Sequence, residues 1–129
     1  MATLSRDYTR GALNAESIKL ARGNPLVLTG TYKTSAGVAI DISTMTAAKF
    51  TVVSRITGLR VAQKTFGSGI ALSGGGTGGI FTVTCSAADL ALGMGDFDYD
   101  LEITYTAEGT ITLAVGMLRL FETYSDKSA

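Results

Sequence analysis

The chain contains no histidine and no tryptophan, and it has a single cysteine and a single proline among 129 residues. Histidine is the commonest general base and metal ligand, so its absence excludes Ser-His-Asp and Cys-His catalytic arrangements and zinc sites that need histidine. Cys85 has no partner for an internal disulfide, and the apolar alternation around it predicts a small buried side chain. We therefore expect a protein that is not an enzyme and that holds no cofactor.

The chain also lacks an excess of charge of either sign and any long apolar run. Eleven basic residues balance eleven acidic ones, which leaves none of the basic character that nucleic-acid binding requires. No run approaches the roughly 18 apolar residues that span a bilayer, and residues 1–23 lack the apolar stretch of a secretory signal. We expect synthesis in a cytoplasm and no nucleic-acid, membrane or small-molecule partner.

Sixteen glycines separate short runs that are rich in β-branched and aromatic residues. The clearest run, residues 97–106, alternates apolar and acidic or hydroxyl side chains, which predicts a strand with one buried face. A turn at 107–109 and a second run at 110–121 predict an antiparallel hairpin. The apolar phase slips by one residue at Gly116, which predicts a β-bulge there.

Alternating patterns elsewhere raise the number of strands to about seven. Frequent turns between such strands favour an all-β fold, an antiparallel β-sandwich. Ser86 and Asp89 have the spacing of a capping box, which predicts one helical turn over 87–92. The remaining predicted strands are residues 25–33, 48–54, 59–66, 70–73 and 80–85.

Residues 1–22 are polar and show no sustained period, so they are predicted as an extended N-terminal arm ahead of a domain at 23–122 and a tail at 123–129. Two interpretations are open: a flexible tail, or an arm that orders against a neighbouring subunit. Arginines in this arm and tyrosines outside the strand region are the residue types that anchor interfaces. The candidate interface residues are Arg6, Tyr8, Arg10, Arg22 and Tyr124.

Glycines at 74, 76 and 79 match the spacing G-x-G-x-x-G of dinucleotide-binding loops. In such loops a helix must follow, because the pyrophosphate sits on its N-terminus. Here residues 80–85 alternate like a strand, so the pattern predicts a glycine-rich loop and no nucleotide site.

Asp96, Asp98 and Asp100 have the spacing D-x-D-x-D. An EF-hand loop would need glycine and glutamate where Leu101 and Ala107 stand. On a strand the three carboxylates share one face, where they keep the face solvated and oppose edge-to-edge pairing. A divalent cation or a basic neighbour held by them remains an open alternative.

The order of segments resembles small immunoglobulin-like domains of tailed-phage virion proteins, such as the N-terminal domain of siphophage upper baseplate proteins. The likeness covers about residues 22–121 and departs from the family pattern at Asn24 and Ala39. The matching segments are 22–32, 37–43 (family pattern G-x-P-x-D-L-T), 47–52, 79–90 (G-x-F-x-V-x-L-x-x-x-x-T) and 95–103 (G-x-Y-x-Y-D-L-x-V).

This resemblance implies an immunoglobulin-like sandwich with a non-enzymatic structural role in a bacteriophage virion. The role would be that of an adaptor in the tail or baseplate, or of a capsid decoration. The implied partners are other virion proteins and copies of the chain itself, and the implied location is the virion after synthesis in the host bacterial cytoplasm. The alternative hypothesis is a free-standing carbohydrate- or ligand-binding β-sandwich module, although the chain lacks the tryptophan such modules commonly expose.

Overall fold

A computed structural model describes residues 2–15, 17–21, 23–90 and 95–121. In this part of the chain the regular structure consists of nine strands and one short 3-10 turn at Gly74–Gly76. The strands are β1 (Ala2–Thr9), β2 (Ile18–Ala21), β3 (Leu26–Lys33), β4 (Ala47–Ser54), β5 (Arg60–Phe66), β6 (Gly69–Leu72), β7 (Ile80–Cys85), β8 (Gly95–Tyr105) and β9 (Gly109–Phe121).

All nine strands belong to one sheet, in the order β1-β3-β7-β6-β5-β4-β8-β9-β2. Their inward side chains meet in a single apolar core, so the sheet is curled around it. The all-β prediction is confirmed. The purely antiparallel prediction is wrong, because β1 with β3, β2 with β9, and β5 with β6 pair in parallel. Alternation reports which face of a strand is buried and carries no information on strand direction.

Strands β3 to β9 lie within two residues of the predicted positions. The inward face of β8 is buried as expected, with Leu101 and Ile103 fully inaccessible. The predicted bulge is displaced along β9: Leu101 pairs with Ala114 while Glu102 pairs with Thr112, so Leu113 is the extra residue. The apolar phase slips there because Leu113 and Ala114 are both buried.

Both end strands of the sheet come from residues 2–21, which we call the amino-terminal segment. Strand β1 pairs with β3 at one end, the chain then crosses to β9, and β2 pairs with β9 at the other end. Tyr8, Ile18 and Leu20 of this segment are buried in the core. The described part of the predicted arm therefore lies in the same sheet as the rest of the domain.

The glycine-rich loop and the capping box have the local structure that the sequence indicates. Gly79 has a φ of +73°, and its carbonyl accepts a hydrogen bond from the Tyr32 amide across 2.9 Å. Ser86 and Asp89 cap each other: the Ser86 amide donates to the Asp89 carboxylate at 2.7 Å, and the Asp89 amide donates to the Ser86 hydroxyl at 3.1 Å. The capping box is confirmed, with a turn over 87–90; the rest of the predicted helical turn lies outside the described residues.

Candidate interaction site

Glu108, in the turn between β8 and β9, is the centre of a polar cluster that joins three distant parts of the chain. Its carboxylate accepts hydrogen bonds from the Tyr32 hydroxyl, at 3.0 Å to Oε2, and from the Tyr105 hydroxyl. Arg10 of the amino-terminal segment donates to Oε1 across 2.7 Å from Nε. The cluster therefore attaches the end of β1 to β3 and to the β8–β9 hairpin.

Electrostatic interactions keep the Glu108 carboxylate of this cluster ionised and the tyrosine hydroxyls neutral. Burial alone would raise the pKa of Glu108, but hydrogen bonds from Tyr105 and Tyr32 and the charge of Arg10 lower it. Burial, followed by the hydrogen bond to Glu108, raises the pKa of Tyr105 to about 12. The carboxylate is thus ionised and engaged by three donors, an arrangement suited to holding segments together.

A cleft of about 340 Å³ lies next to this cluster. Its walls include Gly11–Leu13 of the amino-terminal segment, Ile111–Leu113 of β9, Tyr32 and Glu108. Leu13 is 59% exposed. The cleft therefore lies where the chain leaves β1 and approaches β9.

Asn14 attaches the amino-terminal segment to β9 at the bulge. The Asn14 side-chain amide donates to the Leu113 carbonyl at 3.1 Å, and its backbone amide approaches the same carbonyl at 3.3 Å. The Val115 amide donates in return to the Asn14 carbonyl at 2.9 Å. These bonds hold the crossing chain against β9 before β2 begins.

Tyr8, a candidate interface residue, lies in the core of this chain with 3% of its surface exposed. Its ring stacks on that of Phe81 with 6.0 Å between centroids, above Gly30. The parallel pairing of β1 with β3 turns this side chain inward, which accounts for the difference from the expected surface position.

The remaining candidate interface residues occupy different environments. Arg6 is partly buried and donates to the Ser17 carbonyl at 3.4 Å, while Arg10 joins the Glu108 cluster. Arg22 and Tyr124 lie outside the described residues. The roles of these residues in an interface with a partner remain predictions.

Two acidic residues of β8 are engaged by basic side chains of the same chain. Asp96 accepts two hydrogen bonds from Arg119, at 2.7 and 3.1 Å. Asp98 accepts two from Arg55, at 2.6 and 3.2 Å. Within the described ranges no group of three potential metal-ligating side chains comes together. Basic neighbours thus hold two of the three carboxylates.

Two large aliphatic side chains in the turn between β4 and β5, which together we call the apolar patch, are exposed, and this was not predicted from the sequence. Ile56 is 96% exposed and Leu59 is 67% exposed. A groove of about 460 Å³, lined in part by Val53, Arg55 and Met117, occupies the outer face of the adjoining strands. The only signal in the sequence is the presence of two large aliphatic residues in a turn containing Gly58.

Cys85 has the buried position that the sequence predicts, with 1% of its surface exposed. Burial raises the pKa of its thiol to about 11, so the reactive thiolate is scarce at neutral pH. Among the described residues there is also no helix with the length and apolarity needed to cross a bilayer.

Comparison with known proteins finds a likeness among solved structures. No protein-family model matches the chain, and no curated protein matches it either. Among solved structures, the N-terminal domain of phage TP901-1 ORF48 is similar, with a TM-score of 0.59 and 12% sequence identity. The match covers 94% of this chain and 99% of that domain. At this identity the likeness establishes a shared fold.

Proposed function

We propose that the protein is a non-enzymatic structural component of a bacteriophage virion, an adaptor or cement module that docks on neighbouring virion proteins. The observation that carries the proposal is the fold shared, over nearly the whole length of both chains, with a domain of a phage protein. The order of segments that resembles virion immunoglobulin-like domains supports the same role. A tail or baseplate position is the first choice and capsid decoration the second.

The apolar patch formed by Ile56 and Leu59 is the surface we assign to docking on a neighbouring virion protein. These two side chains are 96% and 67% exposed, so removing them from water lowers the free energy of binding to a partner. The adjoining Arg55–Asp98 ion pair gives this apolar patch the polar border found at protein interfaces.

The proposal is tested on purified particles of the phage whose genome encodes this chain. Mass spectrometry and immunogold labelling should find the protein in the particles and place it at the tail or on the capsid. The Ile56→Ser/Leu59→Ser variant should be incorporated poorly while its melting temperature stays unchanged. The matched control is Val38→Ser, which removes a 61% exposed aliphatic side chain before β4. Particles that lack the wild-type protein would overturn the proposal.

The carbohydrate-binding alternative lacks the usual platform in the described part of the chain. Tyr8, Tyr32, Tyr99 and Tyr105 are buried there, and Phe121 is the only large aromatic residue among the exposed apolar ones, at 43%. Binding of the isolated protein to a glycan array, combined with its absence from particles, would favour this alternative over the virion role.

A further inference from the structure

We propose that β1 is exchanged between copies of this chain, so that residues 2–10 of one copy complete the sheet of the next. This inference rests on the proposed function, in which copies lie side by side in a particle. It identifies the surface as the edge of β3 that β1 covers, and the partner as a second copy of the same chain.

The contacts of β1 are made mainly with parts of the chain that follow residue 25. All eight residues of the strand pair with β3. Asp7 binds Lys33 at 3.1 Å, and the Arg10 amide donates to the Lys33 carbonyl at 2.7 Å. Arg10 also binds Glu108. Because a second copy carries the same β3 and hairpin, each of these contacts can form between two chains with the same geometry.

The acceptor surface includes a socket shaped for Tyr8. A methyl group on Gly30 would lie 2.3 Å from the ring of Phe81 and 2.7 Å from the ring of Tyr8. The absence of a side chain at Gly30 therefore lets the Tyr8 ring settle on Phe81 against the backbone of β3. This socket gives an incoming β1 a fixed register, because Tyr8 pairs with Tyr32 only when the other seven positions are also aligned.

The chain directly after the strand forms a turn that can open into a hinge. The Ala12 amide donates to the Thr9 carbonyl at 3.1 Å, and Gly11 has a φ of +78°. Glycine adopts this backbone and extended ones about equally well, so the turn can straighten without steric cost from a side chain. Leu13 is 59% exposed in the closed form and is available to pack between two exchanged chains.

Exchange satisfies the same contacts twice in a symmetric pair and changes only the hinge, which makes it a low-cost route to association. Strands β1 and β3 are joined by residues 10–25, with no tight hairpin that would force them to pair within one chain. A high local concentration of copies in a particle then favours pairing between chains.

The test uses cysteines at two positions that pair across β1 and β3. Ser5 and Thr29 are register partners, and Cys85→Ala removes the native thiol. Full-length chains carrying Ser5→Cys and chains carrying Thr29→Cys are mixed, unfolded together, refolded at high concentration and oxidised. Exchange predicts a disulfide-linked heterodimer on a non-reducing gel, about tenfold above the control mixture because a docked strand provides a millimolar effective concentration.

The control mixture replaces Thr29→Cys with Thr84→Cys. Thr84 is exposed on β7 and pairs with Val27, so it lies two strands away from β1. Two strand spacings amount to roughly 9.6 Å, beyond the reach of a disulfide. An amount of heterodimer equal to that in the control mixture would overturn the exchange. This holds whether or not the Ser5→Cys/Thr29→Cys double variant forms a disulfide within one chain.

The same double variant in purified particles separates the two proposals. A protein that is present in particles but linked only within single chains would overturn the exchange and leave the virion role intact. Absence of the wild-type protein from particles would overturn the virion role. Disulfide-linked oligomers in particles would support both.

Discussion

Asn14 and Leu113 form the contact that attaches the amino-terminal segment to the last strand of the hairpin. The Asn14 side chain donates to the Leu113 carbonyl at 3.1 Å, and Leu113 is the residue by which β9 bulges. The bulge re-aims the apolar side chains of β9 and places a carbonyl where the crossing chain can bind it. This contact and the pairing of β1 with β3 hold the amino-terminal segment in place, and its two strands form the two ends of the sheet.

Replacing Asn14 with alanine should lower the free energy of unfolding by about 1 kcal/mol, because the side-chain hydrogen bond to Leu113 is lost. Urea unfolding of the purified variant measures this change. The matched control is Asn24→Ala, which removes the chain's other asparagine from an exposed loop and should have little effect. Equal stability of the two variants would mean that the contact contributes nothing.

Replacing Gly30 with alanine should destabilise the fold by about 1–3 kcal/mol, the usual cost of overpacking a core. The added methyl group would overlap the rings of Phe81 and Tyr8. Gly78→Ala is the control, because the nearest atom to its new methyl group belongs to Ile80 at 3.9 Å. Thermal unfolding of both variants checks the prediction, and an unchanged melting temperature for Gly30→Ala would contradict it.

The strands with strong alternation could be predicted from the sequence, and those of the amino-terminal segment could not. In β8 every second residue from Phe97 to Tyr105 is large and apolar and faces the core, so the period of two is plain. In β1 the inward side chains include Arg6 beside Leu4 and Tyr8, and β2 has only four residues. Their place in the sheet is decided by pairing with β3 and β9, which a local pattern does not report.

The Glu108 cluster was beyond sequence reasoning for a similar reason. Arg10 is 98 residues away from Glu108 along the chain, and Tyr32 is 76 residues away. The arginine was singled out as an interface candidate, but nothing in its surroundings identifies the acid that it binds. Only the parallel alignment of β1 with β3 brings Arg10, directly after β1, to the β8–β9 turn.

Gly79 and Gly75 both adopt a left-handed backbone, but a side chain would meet a close neighbour only at Gly79. Both have positive φ, at +73° and +74°. A side chain at Gly75 would meet open space, so Gly75→Ala should cost only about 1–2 kcal/mol from the backbone itself. At Gly79 a methyl group would lie 2.6 Å from the Tyr32 carbonyl oxygen, so Gly79→Ala should cost clearly more. Denaturant midpoints of the two variants measure the difference, and equal midpoints would contradict it.

The Glu108 cluster should make stability depend on pH in the acid range. The pKa of Glu108 is lowered in the folded protein, so its contribution is present above the unfolded pKa of about 4.3 and is lost as the pH falls through the folded pKa. Wild type should therefore lose more stability than Glu108→Gln between neutral pH and strongly acidic pH. Glu102→Gln removes an equal charge from the outer face of β8 and is the matched control. If the pH profile of Glu108→Gln coincides with that of wild type, the proposed contribution of Glu108 is absent.

Tyr105 should make the same cluster sensitive to alkali, with the opposite sign. Burial and the hydrogen bond to Glu108 raise the phenol pKa to about 12, whereas an unfolded tyrosine titrates near 10. The contribution is therefore complete below about pH 10 and is lost as the pH rises towards 12, because the unfolded chain releases its proton first. Tyr105→Phe should be less stable at neutral pH, since the carboxylate loses a donor, and its stability should fall less steeply above pH 10. Unfolding curves across this range measure both effects, and profiles that run parallel would show that Tyr105 does not titrate with folding.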